Sequence, residues 1–264
     1  MWGILCAPHC GPEKREEDMR KFFKYILFLA AVLILPVGAK ACPVSVTITA
    51  TNEETGQSQV TTLGGETSLD IITGDFVWVL DHEVSILDGS IDRLKLTVNA
   101  DPEVGIEFGV RANKKQIFTI LSDVVLFDPL VNPTAYASAA ITLTDRGPTA
   151  GATITGFFDG GKTYQARYNG STVFANLVDS FGIPNSSGDK NEARGNESSM
   201  ITINDTLTSI ESEFHFTLSV NDSASGTSTF VVVPEPATIA LLGLGALSLI
   251  RRKKVERMCA QAGQ

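Results

Sequence analysis

Glu213-Phe214-His215-Phe216-Thr217-Leu218-Ser219-Val220 decides the fold. Phe214, Phe216, Leu218 and Val220 occupy every second position, with Glu213, His215, Thr217 and Ser219 between them. A period of two, rich in aromatic and β-branched residues, is the mark of a strand with one buried face. The same alternation recurs outward along the chain. Val44, Val46 and Ile48 alternate with Ser45, Thr47 and Thr49, and Leu94, Leu96 and Val98 alternate with Arg93, Lys95, Thr97 and Asn99. Further strands are expected at 76–80, 105–111, 116–121, 124–127, 139–144, 152–158, 164–168, 172–177, 200–204 and 227–233. Turn chemistry separates them at Gly64-Gly65, Asp88-Gly89, Asp101-Pro102, Arg146-Gly147-Pro148, Asp159-Gly160-Gly161 and Asn169-Gly170. Phe157 to Tyr164 reads as a hairpin, Pro184 to Ser199 as a long polar loop, and Asn221 to Thr229 as a polar spacer or hairpin. The stretch from Val173 to Phe181 also admits a short helix. No 20–50-residue repeat is present, which disfavours propellers and solenoids. The expectation is all-β: one antiparallel β-sandwich or jelly-roll-like body over residues 42–230.

Composition bounds what such a body can do. The chain has 264 residues, a net charge of −9 and a mean hydropathy of +0.11. Residues 42–233 hold 24 acidic and 10 basic side chains, a charge of −14, while both ends are net positive. That balance argues against nucleic acid and anionic lipid as partners of the body. The four cysteines, Cys6, Cys10, Cys42 and Cys259, all lie in or beside the ends, so no disulfide staples the body and its stability must come from a core.

The ends are targeting segments. Arg20, Lys21 and Lys24 precede ten apolar residues, Ile26 to Leu35, followed by Pro36, Gly38 and Ala39-Lys40-Ala41. A basic flank, a short apolar run and a small-residue cleavage site at Ala39 and Ala41 make residues 1–41 a signal peptide. The run is shorter than the ~20 residues of a membrane span. Translation from Met19 gives a cleaner signal than translation from Met1, and the Cys6/His9/Cys10 group lacks a second ligand cluster for a metal. Cys42 after Ala41 invites a lipoprotein reading, which Ala39 and Lys40 fit poorly.

At the other end, Pro234-Glu235-Pro236-Ala237-Thr238 leads into an uncharged, mostly apolar run to Ile250 and then Arg251-Arg252-Lys253-Lys254. The run rises ~21 Å as helix and reaches spanning length only if extended back past Glu235 to Phe230. The basic block holds its side in the cytoplasm, so an exported body would be followed by a stop-transfer helix and a cytoplasmic tail, 255–264. Residues 231–254 resemble the PEP-CTERM sorting signal of Gram-negative bacteria, in the PEP triplet with Ala237 and Thr238, the Leu/Gly-rich helix and the Arg/Lys cluster. The resemblance implies a membrane-embedded protease or transpeptidase, exosortase, as processing partner after signal peptidase. It also implies an exported protein of an exopolysaccharide-producing bacterium, anchored in the inner membrane only in transit. The tail VERMCAQAGQ departs from the usual early stop after the basic cluster.

Chemistry in the body is sparse. HExxH, a body CxxC, a P-loop and GxSxG are all missing from the sequence, and no histidine is singled out for a triad. Two facing carboxylates are all that a glycosidase needs, and the acidic residues leave that reading open. His215 reads as an exposed histidine on a polar strand face. His82 lies in a turn with Asp81 and Glu83; with Asp88 and Asp92 these acids form a candidate calcium cluster, against the alternative of a solvated acidic turn. Asn-x-Ser/Thr triplets at Asn169, Asn185, Asn196, Asn204 and Asn221 follow from composition. A sugar-binding aromatic platform would draw on Trp78, Tyr136, Tyr164 and Tyr168, although Trp78 sits in a run apolar on both faces. The sequence therefore leads to a non-enzymatic exported protein without a cofactor, structural or adhesive at the envelope surface or in the exopolysaccharide. A carbohydrate- or calcium-binding module is the alternative and a secreted hydrolase the third reading.

Overall fold

A computed structural model describes residues 44–70, 72–99, 101–147, 151–184 and 190–234. The signal peptide, the apolar run after Pro236 and the basic cluster lie outside the described residues. The described body falls in one compact unit, and none of its residues is helical. Among the described residues no helix is long and apolar enough to cross a membrane.

Eighteen strands form two nine-stranded antiparallel sheets. In chain order they are β1 (Val44–Asn52), β2 (Ser58–Gly65), β3 (Ser68–Leu69), β4 (Phe76–Val79), β5 (Val84–Ile86), β6 (Gly89–Asn99), β7 (Glu103–Ala112), β8 (Gln116–Ser122) and β9 (Val125–Val131). There follow β10 (Thr134–Asp145), β11 (Thr153–Gly156), β12 (Lys162–Tyr168), β13 (Thr172–Asp179), β14 (Phe181–Gly182), β15 (Lys190–Glu197), β16 (Ile201–Thr202), β17 (Thr206–Leu218) and β18 (Ser223–Val233). The first sheet runs β13-β12-β17-β8-β1-β2, with β9, β11 and β14 attached; the second runs β15-β10-β18-β7-β6-β4-β3, with β5 and β16 attached. The sandwich expected from the sequence is the observed architecture.

Strand β17, which contains the quoted stretch, is the spine of the first sheet. Along one edge it pairs with β9 and then β8; along the other, with β12 and then β11. Its Phe214, Phe216 and Leu218 turn inward and are fully buried. They meet Phe108 of β7, from the second sheet, at ring-centroid distances of 4.8 Å to Phe214 and 5.8 Å to Phe216. Phe118 and Tyr164 flank them in the first sheet, and Phe174 of β13 stacks on Phe230 of β18 at 5.1 Å. Aliphatic side chains fill the rest, among them Val46, Ile48, Leu94, Leu96, Ile106 and Ile141. Gly226 of β18 stands opposite Phe108, and a β-carbon there would lie 2.4 Å from the Phe108 ring. The strand therefore needs glycine at this point to admit the ring.

Four segments settle or correct the expectation. The strand expected at 172–177 is β13 (Thr172–Asp179), and the alternative helix from Val173 to Phe181 does not form, because the Asn169-Gly170 turn folds the segment back on β12. Both turn residues have positive φ (49° and 81°), the geometry of a tight hairpin. Within the polar stretch 184–199, residues 190–197 form β15 along Ser138–Asp145 of β10. An edge strand needs no apolar face, and its charged sequence suits an exposed edge. The last strand runs past residue 230 to Val233, with Val232 buried against the core. The stretch expected as a polar spacer or hairpin is a turn at Asn221 (φ 61°) followed directly by β18, which lies in the other sheet from β17.

Replacing Phe108 by alanine is expected to cost about 3–5 kcal/mol, the range for deleting a buried phenyl group. Gly226→Ala is expected to cost about 1–3 kcal/mol by overpacking the same point. Urea unfolding with an unchanged slope checks both; a Gly226→Ala protein as stable as the wild type would contradict the ring placement.

Candidate functional site

The alternation that buries Phe214 and Phe216 turns Glu211, Glu213, His215 and Thr217 to the outer face of the first sheet. Register places Arg167 of β12 beside Glu211 and Gln165 beside Glu213, with Asn176 of β13 next to Gln165. Arg167 bridges both acids: Nη2 lies 2.7 Å from Glu213 Oε2, and Nε lies 3.0 Å from Glu211 Oε1. The second contact is an ion pair by distance, with an angle too poor for a hydrogen bond. Gln165 Nε2 donates to Asn176 Oδ1 at 2.9 Å. Glu211 is 7% and Glu213 9% exposed, so two carboxylates share one guanidinium in a nearly dry setting. Burial pushes the Glu213 carboxyl above the usual glutamate range; Arg167 opposes the shift and the Glu211 charge adds to it.

Next along β17, His215 is half-buried and stacked on Phe157 at 4.4 Å, with Phe158 edge-on at 5.9 Å. The expectation of an exposed histidine is corrected on this point: the β11–β12 hairpin lays two aromatic rings beside it, and burial lowers its pKa. Chemically, the cluster is a polar patch with a carboxylate pair, a guanidinium and two amides. The i, i+2 spacing in Glu211-Ser212-Glu213 carried this signal, and the partner Arg167 became visible only with strand register.

The acidic residues expected to bind calcium are dispersed. Asp81 pairs with His82, which holds its carboxyl below the usual range, and both side chains are largely exposed. Glu83 is exposed, Asp88 accepts a hydrogen bond from Asn52 Nδ2 at 2.8 Å, and Asp92 sits at the β6 bulge opposite Gly109. Among the described residues no three His, Cys, Asp or Glu side chains converge as a metal site requires.

The aromatic platform is corrected as well. Tyr164 is fully buried, hydrogen-bonded to Ser212 at 2.9 Å, and burial pushes its phenol up to about 12. Trp78 and Tyr168 pack against the core. Tyr136 alone turns to the outer face of the second sheet, where it donates to Glu197 Oε2 at 2.6 Å. Alternation decides this: Tyr164 and Tyr168 share the inward parity of Phe214.

A raised carboxyl pKa favours the protonated form in the folded state. The Glu213 contribution is therefore complete below its unfolded value, near 4.5, and is lost as pH rises through the folded value. Glu213→Gln should flatten the decline of stability between pH 4.5 and 7 relative to wild type, measured by urea unfolding across that range. A parallel decline in both proteins would contradict the assignment.

Three comparisons bear on identity. No curated protein matches the chain. A solved structure described as "Structure of infectious bursal disease virus Gx strain" is similar at 14% identity and a TM-score of 0.25; the match covers 76% of this chain, which spans about half (54%) of that chain. The family model of the PEP-CTERM protein-sorting motif matches residues 232–254. Its first two positions are the end of β18, and the triplet Pro234-Glu235-Pro236 follows at once. The motif implies export, membrane-anchored transit and exosortase as the processing partner. At its C-terminal end the chain thus carries a PEP-CTERM protein-sorting motif, joined without a spacer to an antiparallel β-sandwich.

Proposed function

We propose that the sandwich is a non-catalytic surface or matrix component, structural or adhesive in the envelope or exopolysaccharide once exosortase has processed it. The observation that carries this reading is the continuity of the sorting motif with the last core strand. Val232, the first matched residue, is buried and pairs with Ala135, and its amide donates to the Pro102 carbonyl at 2.8 Å. The membrane-directed segment thus emerges from the sheet itself, so the body is presented close to the bilayer until the tail is removed.

The surfaces suit a hydrated polymer. On the first sheet, Thr47, Thr49, Thr51, Thr62 and Thr119 are neighbours by register. On the second, Thr97, Ser138, Thr142, Thr144, Ser225, Thr227 and Thr229 share the outer face. Hydroxyl arrays both donate and accept, as sugar hydroxyls do. A carbohydrate-binding reading is favoured by the Phe157 ring, 49% exposed and stacked on His215, as a face on which a sugar ring can lie.

Fractionation of an exosortase-positive culture tests the proposal. The mature protein should sediment with the extracellular matrix and be released by digestion of the polysaccharide. Recovery in the free culture fluid would contradict it. Alanine at Pro234, Glu235 and Pro236 together should keep a C-terminal epitope tag on the protein in the membrane fraction; loss of the tag from that variant would remove the motif from the account.

A further inference from the structure

Among the described residues, two arginines of the acidic body have no carboxylate paired to them. Among the described residues, Arg93, Arg167 and Arg194 each pair with glutamate. Arg111 and Arg146 make no such pair, and both line one open cavity of about 360 Å³ together with Asn113 and Asn221. These four residues come from three places in the chain. Arg111 is the last residue but one of β7 and Asn113 follows the strand, Arg146 follows β10, and Asn221 lies in the turn between β17 and β18. Two guanidiniums bordering one open cavity, with no carboxylate of the described residues paired to either, suit an anion.

The arrangement is built rather than incidental. Ser223, the first residue of β18, pairs with Arg111 by register, and its Oγ accepts from Arg146 Nε at 3.0 Å. Beneath, Asp222 Oδ1 accepts from the Arg146 amide at 3.1 Å, and Asp145 Oδ1 accepts from the Gly147 amide at 3.1 Å. Both aspartates are buried on the core side of the sheet. Both oxygens of Asp222 are engaged, by the Arg146 amide and Ser219, and Asp145 Oδ1 by the Gly147 amide, while Asp145 Oδ2 is buried without a partner among the described residues; the two aspartates hold the turn that presents Arg146, and neither forms an ion pair with its guanidinium. Ala112 N donates to the Asp222 carbonyl at 3.0 Å, which ties the β7 end to the same turn. Among the described residues, the terminal nitrogens of Arg146 and the Arg111 guanidinium have no side-chain acceptor, and the Asn113 and Asn221 amides offer both donors and acceptors.

We propose that this cavity binds the carboxylate of an acidic sugar residue, a uronate unit of a polysaccharide. Paired guanidiniums suit a carboxylate, and the two amides suit the ring hydroxyls beside it. The assignment rests on the matrix reading above for the source of the ligand, and it adds a charge preference that reading does not contain.

Isothermal titration of the full chain in non-ionic detergent micelles tests it, with trigalacturonate, maltotriose and inorganic phosphate as separate probes. Trigalacturonate should bind saturably and weaken as salt rises. Arg111→Gln and Arg146→Gln should each lower its affinity about tenfold or more, as loss of a charge-assisted hydrogen bond does. Both substitutions lie on exposed side chains and should leave the thermal midpoint unchanged, which separates lost binding from lost folding. Maltotriose binding as tightly, or phosphate alone binding as tightly, would overturn the preference for an acidic sugar. Absence of trigalacturonate binding, or binding that survives both substitutions, would overturn the site. None of these outcomes alters the matrix fractionation result, so failure here is distinguishable from failure of the broader role.

Discussion

Phe108 reaching across the sandwich to Phe214 and Phe216 is the contact on which the rest of the body depends. With no cysteine between residues 43 and 233, the sheets are held by apolar burial and aromatic packing rather than by a covalent staple. The ring sits where Gly226 leaves room in the neighbouring strand, so one glycine and three phenylalanines fix how the second sheet meets the first. Once β17 is locked with its phenylalanines inward, its alternate residues must turn outward. Glu211, Glu213 and His215 owe their positions to that constraint. The Arg167 bridge and the Phe157 stack then complete the outer patch.

Much of this was legible from alternation alone. The inward sets of β1, β6 and β17 follow from counting every second residue, and the chain reverses at Asp88-Gly89, Asp101-Pro102, Asp159-Gly160-Gly161 and Asn169-Gly170 as expected, whereas Gly64-Gly65, expected as a turn, belongs to β2 and pairs with Ser45 and Val44 of β1. The expectation weakened where local pattern and tertiary pairing carry different information. Residues 190–197 have no apolar periodicity, yet they form an edge strand because β10 offers unpaired backbone groups. Val173 to Phe181 is ambiguous between strand and helix over so short a window, and the Asn169-Gly170 turn resolves it. Aromatic fate was legible only by extending parity across strands: Tyr164 looked available for sugar and proved to be core. Sites made by register were not legible at all. Arg167 is 44 residues from Glu211, and Arg111 is 35 residues from Arg146, so nothing local joins them.

The body and its tail answer different questions. The match at residues 232–254 concerns destination and processing. The sandwich concerns what is delivered: a dry core, two hydroxyl-rich outer faces, and a few charged side chains placed by strand ends and turns. The absence of a spacer links the two parts physically. Pro234 cannot donate to a ladder and ends β18, while Val232 is still part of the core. The processing enzyme that the motif implies would therefore meet the PEP triplet directly after a strand of the folded sheet.

The intact mass of the protein recovered outside exosortase-positive cells is the most direct test of this account. It predicts a species that has lost the apolar run and the Arg251-Arg252-Lys253-Lys254 block but keeps β18 through Val233. A secreted species retaining the complete tail would contradict it, as would one trimmed into β18.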